Sequence, residues 1–241
     1  MAKTLHRICL WSGPRNISTA LMYSFAQRPD TKVYDEPLYA HYLSKSKAKA
    51  YHPGAEEIIA TMENDGSKVV DSMLGEHGRS IAFFKHMTHH LIQLDLSFLK
   101  QVQNVILTRD PKDMLPSYAK QVHQPNMQDV GYAGHLELIT YFQSHKIPYL
   151  VLDSKKVLEN PEQVLSKLCE GLNIPFQKEM LSWKAGARAE DGCWAKYWYN
   201  SVHKSTGFQK YKAKTAPFPD HLKTLLADCQ PIYQKLLEQS I

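Results

Sequence analysis

The chain has 241 residues, 43% of them hydrophobic and 22% charged, and a formal net charge of +5 from 29 Lys and Arg against 24 Asp and Glu. These values describe an ordinary globular protein and exclude a collagenous, coiled-coil or largely disordered chain, while the mild positive balance favours anionic ligands without marking a nucleic-acid binder. Four cysteines, Cys9, Cys169, Cys193 and Cys229, form no C-x-x-C pair, which argues against a disulfide framework or a thiolate zinc site and fits a reducing compartment.

The N-terminal residues pass straight into a short apolar run ending at Ser12. That run is too short for a signal-peptide core, and no other stretch approaches the roughly 18 apolar residues of a membrane span. A cytoplasmic protein is expected. Arg7–Trp11 reads as the first strand, followed by a helix over Ser18–Gln27 with Ser18 or Asn16 as its cap. Lys32–Tyr34 is the second strand, Ala55–Glu63 a helix behind Pro53-Gly54, and Val69–Val70 a further short strand piece. Ser80–Phe84 and Asn104–Thr108 follow as strands, short and rich in β-branched and aromatic residues as buried parallel strands are. Pro111, suited to a first helical turn, precedes a helix over Lys112–Val122. Tyr132–Ser144 is a helix, Pro148–Leu152 the fifth strand, and Pro161–Gly171 a helix capped by Asn160. Ser182–Pro219 reads as irregular, the size of a lid or binding loop. A last helix runs from Asp220 to Glu238 with an interruption at Pro231. Strand–helix alternation of this kind predicts one α/β domain over residues 1–241, a three-layer α/β/α arrangement with a central parallel sheet.

Ligands of such sheets bind at the carboxyl ends of the strands. The first strand runs into Ser12-Gly13-Pro14-Arg15-Asn16-Ile17-Ser18-Thr19 and the second into Asp35-Glu36-Pro37. The third runs into Lys85-His86, and the fourth into Arg109-Asp110-Pro111-Lys112-Asp113. Polar and ionisable residues thus gather on one edge. The first turn joins a strand to a helix, so its N–H groups form an anion site. Against the phosphate-loop pattern GxxxxGK[ST] aligned on Gly13, Ser18 stands in place of the second Gly and Thr19 in place of Lys. A plain capped helix start remains the other reading of this loop.

Pro14-Arg15-Asn16-Ile17-Ser18-Thr19 resembles the 5′-phosphosulfate loop of sulfotransferases, P-[KR]-x-x-[ST]-[ST], which follows their first strand. Arg109-Asp110-Pro111-Lys112-Asp113 with Ser117 resembles the same family's 3′-phosphate element, R-[ND]-P-x-[DE] followed by a Ser. The resemblance implies a P-loop-like nucleotide-binding fold and a cofactor, PAPS (3′-phosphoadenosine 5′-phosphosulfate), that leaves as PAP. It assigns Arg15, Asn16, Ile17, Ser18 and Thr19 to the 5′-phosphosulfate, and Arg109 and Ser117 to the 3′-phosphate. His203-Lys204-Ser205-Thr206-Gly207-Phe208 stands where many members close over the cofactor, so Lys204, Ser205, Thr206 and Gly207 are implied nucleotide contacts. Trp11–Arg15 and Asp35-Glu36-Pro37 look closer to bacterial-type sulfotransferases and to plant proteins that join such a domain to an aminotransferase-like one. No fused partner is expected in this chain.

For the general base two residues stay open. Glu36 matches members with a Glu shortly after the phosphate loop, and its neighbour Asp35 pushes one of the two pKa values upward. His86 stands near the K-T-H of cytosolic members, with Lys85 on the sulfonate. The structural alternatives are a capping or ion-paired Glu36 and a core His86. His86, His89 and His90 have helical metal-binding spacing without an acidic partner, and Lys45, Lys47 and Lys49 read as a solvated face. Trp183, Trp194, Tyr197, Trp198 and Tyr199 are packing residues or a wall for adenine or acceptor. The expected activity is metal-free sulfonate transfer from PAPS to a hydroxyl or amine. The rivals are a P-loop-type small-molecule kinase and a non-catalytic nucleotide-binding module. The implied partner is a small-molecule acceptor, with no nucleic acid and no membrane, and with a homodimer as the candidate assembly.

Overall fold

Five apolar runs become parallel strands in the computed structural model, which describes residues 5–241. They are β1 (His6–Ser12), β2 (Thr31–Asp35), β3 (Ile81–Met87), β4 (Gln103–Thr108) and β5 (Tyr149–Asp153), in the order β2-β3-β1-β4-β5. Every residue of β3 is buried, so the sheet is covered on both faces and its strands need no polar alternation. The first four residues, part of the segment read above as too short for a signal peptide, lie outside the described residues.

Eleven α-helices of the described residues surround the sheet. They are α1 (Ser18–Phe25), α2 (Tyr39–Lys45), α3 (Ala55–Thr61), α4 (Gly66–Leu74), α5 (Pro111–Tyr118) and α6 (Tyr132–His145), then α7 (Ser154–Glu159), α8 (Pro161–Gly171), α9 (Ala195–Trp198), α10 (Asn200–His203) and α11 (Lys223–Glu238). One sheet face packs Ile8, Leu10, Phe83 and Leu107 against Leu21 and Phe25 of α1 and Leu165 and Leu168 of α8. The other packs Cys9, Trp11, Phe84 and Ile106 against Met73 of α4, Phe142 of α6 and Leu236 of α11. Each such fully buried Leu or Phe contributes about 1.5–3 kcal/mol. The three-layer α/β/α expectation therefore holds.

Four local expectations change, the first being Ser182–Pro219, read as irregular, which holds the one-turn helices α9 and α10. Val69 and Val70 lie within α4, which Asp65 caps by accepting hydrogen bonds from the Ser67 and Lys68 amides. The β-branched pair reads as a strand in isolation, but the cap and the buried Val69–Met73 stripe select a helix. α11 continues through Pro231, whose ring faces solvent while Cys229, Tyr233 and Leu236 anchor the helix on both sides. Neither Ser18 nor Asn16 caps α1; Ile17 holds that position and makes no side-chain bond.

The chain leaves β1 towards β2 on one side of the sheet and leaves β4 towards β5 on the other. The switch point therefore lies between β1 and β4, and their carboxyl-end loops carry Arg15 and Arg109. No helix among the described residues is long and apolar enough to cross a membrane.

Candidate active site

A cleft of about 280 Å³ opens over this switch point. One wall is the loop between β1 and α1, from Pro14 to Ala20; opposite stand Glu36, Lys85 and Arg109, and residues 194–209 form the roof. The loop has little freedom to move. A Cβ on Gly13 would meet the Val130 carbonyl oxygen at 2.7 Å, and the Asn16 amide donates to the Leu107 carbonyl at 3.0 Å. No side chain caps α1, and Ser18, Thr19 and Ala20 at its start line the cleft. Arg15 takes a left-handed backbone (φ 55°), an uncommon strain for a residue with a side chain.

Arginines meet at this end of the cleft. Arg15 Nε donates to Ser117 Oγ (3.2 Å) and its Nη1 to the Trp198 carbonyl (3.3 Å). Arg109 Nη1 donates to the Arg15 carbonyl at 2.7 Å. Lys214, five residues beyond the roof in sequence, donates to the Asp113 carbonyl at 2.5 Å. Burial and the nearby Arg109 lower the pKa of both Arg15 and Lys214. Among the described residues none of these three cations forms a salt bridge. Their polar partners are neutral oxygens.

The other end holds a buried acid–base network. Asp35 ends β2 beside Lys85 of β3, and Glu36 follows with φ 45°. Lys85 Nζ donates to Asp35 Oδ1 (2.8 Å), Glu36 Oε1 (2.5 Å) and the Tyr199 hydroxyl (2.6 Å). The Tyr199 hydroxyl donates to Asp35 and accepts from Trp194 Nε1 at 3.2 Å. An ammonium has three protons, so Lys85 has none left for a sulfonate. Its expected contact with that group is replaced by a role in holding Glu36 and Asp35. Burial pushes the Glu36 carboxyl up to about 6, against the opposing pull of Lys85, and Asp35 adds to the rise. The carboxylates hold Lys85 charged well above its ordinary range, despite burial. If ionised Glu36 takes the acceptor's proton, kcat/KM rises about tenfold per pH unit up to about pH 6 and then levels. A profile flat from pH 5 to 8 would remove Glu36 from that role.

The structure brings Arg15, Asn16, Ile17, Ser18, Thr19, Glu36, Lys85, Arg109, Ser205 and Gly207 to the cleft wall. Ser117 sits behind the wall on Arg15. Lys204 and Thr206 are exposed and do not line the cleft, and Ser205 is itself tied to Trp183 Nε1 and the Val202 carbonyl. His86 is corrected as well. β3 runs on to Met87, so His86 lies inside the strand and alternation sends it to the face opposite Lys85. There it stacks on Trp11 (4.4 Å between centroids), and burial, with Lys85 near, lowers its pKa to about 3. No set of three or more His, Cys, Asp or Glu suited to a metal occurs among the described residues. The aromatic cluster divides: Trp194, Trp198 and Tyr199 line the cleft, Trp183 is core, and Tyr197 is exposed. Sequence reasoning did not single out Lys214, which carries no local motif, or Tyr199 as a partner of Lys85 and Asp35.

The family model of the sulfotransferase domain matches residues 6–239. The chain belongs to the sulfotransferase domain family. This sulfotransferase-family chain is 41% identical over 229 residues to branched-chain-amino-acid aminotransferase-like protein 1 of Arabidopsis thaliana, covering 94% of this chain and 40% of that protein. Against aminotransferase-like protein 2 of the same plant it is 38% identical over 228 residues, with the same coverage. The chain thus spans about two fifths of the length of these curated relatives. Among solved structures it resembles the sulfotransferase domain of the curacin biosynthetic pathway (TM-score 0.56, 17% identity, covering 95% of this chain and 99% of that one). It also resembles the sulfotransferase domain of the Synechococcus PCC 7002 olefin synthase (TM-score 0.58, 14% identity, 95% of each chain). At such identities these likenesses show the sulfotransferase fold, and the family is one of transferases.

Proposed function

We propose that this chain transfers a sulfonate group from PAPS to a hydroxyl or amine of a small-molecule acceptor. One observation carries the reading: Arg15, Arg109 and Lys214 gather beside a helix start that no side chain caps, and among the described residues none of the three has a carboxylate partner within salt-bridge distance. Like charges held together in a partly buried site fit a ligand with more than one anionic group. PAPS, when bound, supplies the sulfonate and a 5′-phosphate leaving group. Arg15, Ser18, Thr19 and the N–H groups at the start of α1 hold the 5′ anion and offset charge that develops there. Arg109, with Lys214 near it, takes the 3′-phosphate, and Ser117 braces Arg15 from behind the wall. Glu36 receives the acceptor's proton, and Lys85 with Asp35 and Tyr199 fixes its orientation. The kinase reading lacks support, because Thr19 stands where a phosphate-loop Lys would reach the β- and γ-phosphates.

Thermal-shift measurements test the ligand. PAP is expected to raise Tm without magnesium, and ATP to raise it much less. Equal shifts from ATP with magnesium, and none from PAP, would overturn the reading.

A further inference from the structure

Just ahead of the roof, Asp191 and Gly192 tie together three elements that border the cleft. Asp191 accepts the Tyr23 hydroxyl of α1 (2.7 and 2.8 Å), His203 Nε2 of α10 (2.9 Å) and the Arg188 amide (2.9 Å). The Arg188 guanidinium lies over the Tyr23 ring, 4.5 Å from its centroid. The next amide, that of Gly192, donates to Asp35 Oδ2 at 3.1 Å. Asp35 thus receives donors from three places in the chain: Lys85, the Tyr199 hydroxyl and Gly192. Gly192 also makes room. A Cβ there would fall among the ring atoms of Trp194, whose Nε1 donates to the Tyr199 hydroxyl at 3.2 Å. The glycine therefore reaches Asp35 twice, directly through its amide and indirectly through Trp194 and Tyr199.

We propose that Gly192, held in place by Asp191, is a positioning residue for the proton acceptor: its N–H keeps Asp35 as the standing counter-ion of Lys85, so that Glu36 is the acid of the adjacent pair that exchanges a proton. The inference rests on the sulfonate-transfer reading above, in which Glu36 is the base. Asp35 and Glu36 share one buried ammonium, at 2.8 and 2.5 Å. What separates two such acids is the set of donors that each receives. Among the described residues the Glu36 carboxyl accepts only from Lys85. The other groups facing it are His90, whose Nε2 stands 3.9 Å from Oε2 on a ring that burial keeps neutral, and the buried Tyr39. Asp35 has two donors more. Without the Gly192 N–H, the Asp35 charge is less covered and draws Lys85 towards itself. Glu36 then loses part of the attraction that favours its ionised form, and it holds its proton to higher pH.

The test follows the Glu36 carboxyl itself, by carbon-13 NMR of protein labelled at its glutamate carboxyls, with Glu36→Gln to assign the signal. Wild type, Gly192→Ala, Tyr23→Phe and Trp183→Phe are titrated, and Tm and PAP binding are measured beside them. In wild type the Glu36 signal should titrate near pH 6. Gly192→Ala, which drives Trp194 from its seat, should raise that midpoint to between about pH 6.5 and pH 7. Tyr23→Phe frees Asp191 from α1 and should raise it by less, and the double variant by less than the sum of the two, because they break one chain of contacts. Neither substitution changes the charge count, so the midpoint reports donors and not a lost charge. Trp183→Phe deletes the bond to Ser205 (3.1 Å) and is the control: it should lower Tm and leave the midpoint where it was. An unmoved midpoint in folded Gly192→Ala would overturn the inference, as would one moved equally by Trp183→Phe. If Gly192→Ala does not fold, an unmoved midpoint in Tyr23→Phe overturns it. PAP binding with an unmoved midpoint removes this inference alone. A raised midpoint in a protein that does not bind PAP supports the pairing of Gly192 with the two acids and removes the sulfonate-transfer reading.

Discussion

Replacing Glu36 with glutamine is expected to slow sulfonate transfer by about 10²–10⁴-fold, the contribution of a positioned general base. The substitution keeps the shape of the side chain and an oxygen able to accept from Lys85, but it removes the group that takes the proton. Lys85 keeps Asp35 as its counter-ion at 2.8 Å, so no uncompensated buried charge is created and the fold should persist. PAP affinity should remain within about twofold of wild type, because the residues proposed to hold the phosphates stand at the other end of the cleft. The measurement is PAP release from PAPS, paired with a PAP titration. Glu36→Gln should also abolish the acid limb of the pH profile near pH 6. His86→Asn, on the far side of the sheet, should leave turnover near wild type. If the glutamine variant stays active and the asparagine variant does not, Glu36 is structural and the base lies elsewhere.

The second large effect is expected on the donor side. Arg109→Ala should weaken PAP binding by roughly 10- to 150-fold, the equivalent of a charge-assisted contact worth about 1.5–3 kcal/mol. Adenosine 5′-phosphosulfate, which lacks the 3′-phosphate, supplies the control. Arg109 also braces the phosphate loop through the Arg15 carbonyl, so some loss will fall on both ligands. The diagnostic quantity is therefore the difference: the loss for PAP should exceed that for the control several-fold. Lys214→Ala touches no loop carbonyl of Arg15 and should show the same preference with a smaller overall loss. Equal losses for the two ligands would mean that Arg109 acts only as a brace.

The sheet was readable because buried parallel strands announce themselves as short, nearly unbroken apolar runs. The ligand edge was readable because it must follow their ends. Arg15, Glu36 and Arg109 all lie within two or three residues of a strand end, so local sequence sufficed to bring them together. His86 was misplaced for a reason the sequence also contained. Lys85 and His86 are neighbours on one strand, and period-two alternation allows only one of them to face the cleft. Extending the strand by three residues to Met87 makes that plain. Tyr199 and Lys214 were less accessible. They arrive from a segment of single helical turns and loops more than a hundred residues distant from their partners in sequence, and no periodicity specifies such contacts.

Trp198 and Tyr199 are adjacent in the roof, yet they serve opposite ends of the cleft. The Trp198 carbonyl receives Arg15, and the Tyr199 hydroxyl engages Lys85 and Asp35. One peptide link, with about 3.8 Å between its Cα atoms, therefore mechanically joins Arg15 to the buried lysine that holds Glu36. The roof works as a yoke across the two ends. Any rearrangement that draws Arg15 away from Trp198 acts on a segment whose next side chain is pinned to the buried lysine, so neither end can be re-engineered without resetting the other.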